Sequence, residues 1–145
     1  MRVVVDANIV AMWILNEEYS ELAVKLRDAY INGKIILYAP PLLRYEIVSV
    51  LWKAVKLRRI FGLDQALSAL HNLLILSPKI IKLSRKDLRR ALSLAIERNI
   101  TTYDAVYLVL KEKIHGVFIT ADKKLYSKIK DIKDTYFITD VDKIV

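Results

Sequence analysis

Arg2-Val3-Val4-Val5-Asp6-Ala7-Asn8 decides the fold class, because a short run of β-branched residues stops abruptly at an aspartate and an asparagine. Valine suits a pleated, buried strand, and short polar side chains just after it supply a turn and a helix cap. A strand over residues 2–5 therefore feeds a helix to about residue 15. The same alternation recurs down the chain. Residues 18–31 carry Leu22, Ala23, Leu26, Ala29 and Tyr30 at helical spacing and stop at Asn32-Gly33, where a left-handed cap is expected. Residues 35–38 read as a second strand, Pro40-Pro41 as its turn, 42–58 as a long helix closed by Gly62, and 63–76 as another apolar helix. A strand over 79–83 precedes Ser84-x-x-Asp87, a capping box opening a helix to about residue 98. Thr101-x-x-Asp104 repeats that signal ahead of a helix over 102–113. Gly116 leads into a strand over 117–120, Asp122 opens a basic helix to about residue 130, and 136–138 makes a last short strand.

Strands alternating with helices through short connections imply right-handed crossovers and a mostly parallel sheet covered on both faces, an α/β class. The 145 residues suffice for one hydrophobic core, so a single domain over 1–145 is expected. A hydrophobic content of 54% with three glycines and three prolines excludes a disordered chain. Apolar runs fall short of the roughly 20 residues a membrane helix needs, and the apolar start is too short for a signal peptide, so a cytoplasmic protein is expected. With no cysteine, disulfides, thiolate nucleophiles and Cys-based zinc sites are excluded. His71 and His115 lack an HExxH-like spacing, leaving oxygen as the main metal donor. The net charge of +8 favours polyanions without choosing among RNA, DNA and an acidic protein. A single glutamine, Gln65, beside abundant Lys, Arg and Ile hints at a thermophilic source.

Three acids share one topological position. Asp6 and Asp122 lie just past the carboxyl ends of strands and Asp104 in the first turn of a helix, and ligands of open α/β sheets bind at that carboxyl edge. Taken singly, each has a structural alternative as a helix cap or capping-box member. Glu46 falls on the apolar arc of its helix near Leu43, Val50 and Leu57, where a carboxylate needs a partner; a lone salt bridge is one, a shared site with the other acids another. Carboxylates gathered in one cleft repel one another unless a divalent cation neutralises them, and hard oxygen donors suit Mg²⁺ or Mn²⁺. Such ions serve phosphodiester hydrolysis without a Ser, Cys or His nucleophile. No P-loop or GxGxxG is present. A phosphate-accepting receiver domain fits poorly, since only Asp6 follows the first strand and no aspartate ends the expected third.

Four segments in order, Val3-Val4-Val5-Asp6-Ala7-Asn8, Tyr45-Glu46-Ile47-Val48-Ser49-Val50-Leu51, Tyr103-Asp104-Ala105-Val106-Tyr107 and Ile119-Thr120-Ala121-Asp122-Lys123-Lys124-Leu125, together resemble the PIN-domain ribonucleases, most closely the VapC-type toxins. The resemblance spans essentially the whole chain. It implies a PIN-like three-layer sandwich, a Mg²⁺- or Mn²⁺-dependent endoribonuclease, a homodimer and inhibition by a cognate antitoxin protein. It also implies that Asp6, Glu46, Asp104 and Asp122 form the acidic metal-binding group, supported by Asn8 and Thr120. Asn8 departs from the Ser or Thr often found there. A PIN-like module that binds RNA or a partner without cutting, and a nuclease of RNA processing rather than a toxin, are the alternatives.

Basic candidates for an RNA backbone are Arg58, Arg59, Lys79, Lys82, the stretch 85–90 and the stretch 123–133, against the ordinary alternative of solvated helix faces. Tyr45 and Trp52 widen the apolar arc that holds Val48 and Val55 beyond what packing on a sheet requires. That face reads either as an interface for a second copy or an antitoxin, or as a helix buried between two others.

Overall fold

The computed structural model describes all 145 residues. In chain order the elements are β1 (Arg2–Val5), α1 (Ala7–Ala11), α2 (Ser20–Ile31), β2 (Ile36–Ala39), α3 (Leu42–Lys56), α4 (Leu63–Ile75) and β3 (Lys79–Ile80). They continue with α5 (Arg85–Arg98), α6 (Thr102–Ile114), β4 (Val117–Thr120), α7 (Lys123–Ile129), β5 (Thr135–Phe137) and a 3₁₀ turn over Ile138–Lys143. The five strands form one sheet in the order β3-β2-β1-β4-β5, with every pairing parallel.

Side chains of a strand alternate between faces, and β1 shows the result. Val3 and Val5 join Leu26, Leu37, Leu43, Ile47 and Ile119 in a core beneath α1–α4, while Val4 joins Tyr107, Leu108, Phe118 and Ile129 beneath α5–α7. The strand is apolar throughout because helices cover both faces, as a central parallel strand requires. Two turns need backbone freedom. Gly33 ends α2 at φ +71° with its N–H on the Tyr30 carbonyl, as expected from Asn32-Gly33. Gly116 admits β4 beside β1, where an added Cβ would lie 2.6 Å from the Arg2 carbonyl oxygen.

The expected elements are all present, with changed ends. The helix after β1 stops at Ala11, short of residue 15. β3 keeps two residues, since this edge strand pairs only through Tyr38–Lys79 and Ala39–Ile80. Ile138 begins the 3₁₀ turn instead of ending β5. Leu57 caps α3 and is 65% exposed, so it does not extend the apolar arc inferred around Glu46.

Candidate active site

β1 ends at Val5 and presents Asp6 in extended backbone as the N-cap of α1. The Ile9 N–H donates to Asp6 Oδ1 at 3.1 Å. Pairing of β1 with β4 sets Val5 beside Ile119, which brings the next residue, Thr120, against Asp6. The Thr120 hydroxyl donates to Asp6 Oδ2 at 2.6 Å and accepts the Asp122 N–H at 3.0 Å. Asp122 in turn caps α7, its Oδ1 accepting the Leu125 N–H at 2.9 Å. The capping alternatives for Asp6 and Asp122 are therefore real, but each cap engages one carboxylate oxygen and leaves acceptor capacity on the other.

Glu46, in the second turn of α3, receives the Tyr107 hydroxyl on Oε1 at 2.8 Å. Its partner is thus a buried phenol and not a salt bridge. Tyr107 lies three residues after Asp104 on α6, so the two side chains share a helix face that turns toward Glu46. The Asp104 N–H donates to the Thr101 hydroxyl at 3.0 Å, but no reciprocal bond reaches the Thr101 N–H, so the full capping box of Ser84 and Asp87 is not repeated.

The charges of these groups act on one another. Asp6, 8% exposed, has its pKa pushed up to about 6, chiefly by burial; the Thr120 and Ile9 hydrogen bonds oppose the rise and the Glu46 and Asp104 charges add to it. Burial raises the Glu46 pKa against the Tyr107 bond, with Asp104 adding to the rise. Burial raises Asp104 too, against the Thr101 hydroxyl and Lys128, with Asp122 adding to the rise. The Tyr107 phenol is held well above its ordinary value by burial first and then by the Glu46 charge. Glu17, Asp28, Asp87, Glu112 and Asp131 meet lysine or arginine in ion pairs. Asp6, Glu46, Asp104 and Asp122 form none, although the chain carries an excess of eight positive charges.

The structure thus gathers all four acids and Thr120 at the carboxyl edge of the sheet. Asn8 is exposed and its side chain makes no hydrogen bond to the group. Tyr107 was not singled out from the sequence, although its position one helical turn after Asp104 was a usable signal. No three carboxylates stand already converged on a single point fit for an ion. The donor set still fits a hard divalent cation: the oxygens repel one another, form no ion pair and need supply only one or two ligands to an ion that keeps its waters.

Residues 3–131 match the PIN domain family, a span that contains all four acids. The chain belongs to the PIN domain family. It is 33% identical over 129 residues to Ribonuclease VapC3 of Pyrobaculum aerophilum, covering 88% of this chain and 95% of that protein. The crystal structure of PAE2754 from Pyrobaculum aerophilum superposes with a TM-score of 0.70 at 26% identity, covering 99% of this chain and 89% of that one. The structure of VapBC2 from Rickettsia felis bound to a DNA fragment from their promoter shares the fold, with a TM-score of 0.65 at 16% identity over 94% of this chain and 97% of that one. As a PIN domain, the protein has the α/β sandwich that the resemblance of its four acidic segments implied.

The apolar arc of α3 is exposed and not sandwiched: Tyr45 is 74%, Val48 49% and Trp52 54% accessible, with Val55 partly covered. With Leu63, Leu67 and Leu70 of α4 these residues, Tyr45 apart, line a groove of about 250 Å³.

Proposed function

We propose that this PIN domain, a single unit over residues 1–145, is a Mg²⁺- or Mn²⁺-dependent endoribonuclease and the toxin of a VapBC-type pair. One observation carries the reading: in a strongly basic protein, four acids at one sheet edge form no ion pair, and one of them is buried. Asp6, Glu46, Asp104 and Asp122 would hold the ion. When bound, Mg²⁺ or Mn²⁺ supplies the charge that acidifies an attacking water and stabilises the scissile phosphate.

The chain's own residues organise that site. Thr120 and the Ile9 N–H fix both oxygens of Asp6, and Tyr107 fixes Oε1 of Glu46 and leaves Oε2 open. The Leu125 N–H holds Oδ1 of Asp122 and leaves Oδ2 open for a direct or water-mediated contact. Relatives named as a VapC ribonuclease and as a VapBC assembly support an RNA substrate and an antitoxin partner. The α3–α4 groove, with Tyr45, Val48, Trp52 and Val55, is proposed as the surface for a second copy or an antitoxin. No helix is long and apolar enough to cross a membrane, in keeping with a cytoplasmic protein.

Purified protein should cut members of a pool of structured RNAs in Mg²⁺ or Mn²⁺ and cease to do so with chelator or in a folded Asp6→Asn variant. Manganese binding without cleavage would place the fault in the RNA pool; neither binding nor cleavage would replace the enzyme by a binding module.

A further inference from the structure

A cavity of about 420 Å³ opens beside the acidic group, between the α5–α6 corner and α7. Its polar wall is Asn99, Thr101, Asp104, Asp122, Lys124 and Lys128. We propose that Lys124 and Lys128 form a subsite here for a backbone phosphate of single-stranded RNA, next to the bond that is cut; the proposal rests on the nuclease reading.

Three observations point to it. First, two acids alone would repel a phosphodiester, and the two lysines make the wall of this cavity balanced before any cation is bound. Second, Lys128 is held in place: its ammonium donates to the Asn99 carbonyl at 2.7 Å, and Asn99 is fixed in left-handed backbone, φ 52°, at the end of α5. A lysine ammonium has three donors, so this bond positions it and leaves two for an anion. Third, the nearby cations are already in ion pairs while these two are not. Lys123 pairs with Glu18 and lies over the Tyr19 ring, and Arg98 Nη1 donates to both carboxylate oxygens of Asp131. Neither Lys124 nor Lys128 is in an ion pair. The RNA strand would then leave the acidic group across α7, and the exposed Arg85, Lys86 and Arg89 of α5 would contribute only their distant field.

The test is the salt dependence of binding of a short single-stranded RNA to the intact protein in chelator, where nothing is cut, read by fluorescence anisotropy. Each phosphate neutralised on a single strand contributes about 0.7 to the slope of log affinity against log salt, so Lys124→Gln with Lys128→Gln, which removes the one phosphate contact the two lysines share, should lower the slope by about 0.7. Lys124→Arg with Lys128→Arg should keep it. Lys34→Gln with Lys53→Gln removes the same charge from exposed positions outside the cavity and should leave the slope within about 0.3 of wild type. Equal losses in the two glutamine pairs, or an unchanged slope in the Lys124 and Lys128 pair with its fold confirmed by circular dichroism, would overturn the subsite while leaving the nuclease reading in place. A wild type that binds no RNA at any salt would also overturn the subsite.

Discussion

Replacing Asp6 by asparagine should make the metal-free protein more stable at neutral pH, not less. The Asp6 carboxyl sits in the folded protein with a pKa of about 6 against an ordinary value of 3.8, mainly because it is buried. A raised carboxyl pKa means that folding favours the protonated form. Its favourable contribution is complete below pH 3.8 and is lost as pH rises through about 6. At pH 7 the ionised side chain therefore costs about 3 kcal/mol relative to the protonated one. Asparagine keeps an oxygen to accept the Ile9 N–H and an amide to donate to Thr120, so the cap survives without the charge. In chelator at pH 7, thermal unfolding followed by circular dichroism should place Asp6→Asn roughly 6–12 °C above wild type, and the two should converge near pH 4. Mn²⁺ should raise the wild-type midpoint and leave the variant unmoved. A variant that melts at or below wild type in chelator at pH 7, or that gains as much from Mn²⁺, would refute the reasoning.

Other substitutions probe the remaining parts. Tyr107→Phe removes only the hydroxyl that orients Glu46, and should weaken Mn²⁺ affinity by about 10- to 100-fold in a protein that keeps its fold, measured by titration calorimetry. Gly116→Ala drives a Cβ against the Arg2 carbonyl, where backbone must yield, and should cost about 1–3 kcal/mol in urea unfolding. Trp52→Ala should weaken self-association or antitoxin binding by about 30-fold in sedimentation or calorimetry, and should leave monomer stability nearly unchanged because the indole is exposed.

Much of this architecture is local in origin and so legible in one sequence. The valine run ending at Asp6, the Ser84–Asp87 box and the Asn32-Gly33 stop each act through neighbouring residues, and each appears where expected. The edge strand over 79–83 shrank because its pairing depends on β2, which local pattern does not report. The same limit applies at the site. Asp6, Asp104 and Asp122 could be named from their positions after strands or in a first helical turn, and Glu46 from its place on an apolar arc, yet the bond from Thr120 to Asp6 exists only because β4 lies beside β1. Tyr107 meets Glu46 only because α6 and α3 converge at that sheet edge. Periodicity likewise gave α3 an apolar arc without saying whether a helix or solvent covers it; α4 borders it and leaves a groove.

The central claim is that four unpaired acids form one divalent-cation site, and Mn²⁺ titration of the wild type and of Asp6→Asn, Glu46→Gln, Asp104→Asn and Asp122→Asn tests it most directly. Saturable binding by the wild type, lost or weakened at least tenfold in each folded variant, is the expected result, with Asp122→Asn the mildest if its contact is through water. Absence of saturable binding by the wild type, or binding that survives in all four variants, would contradict it.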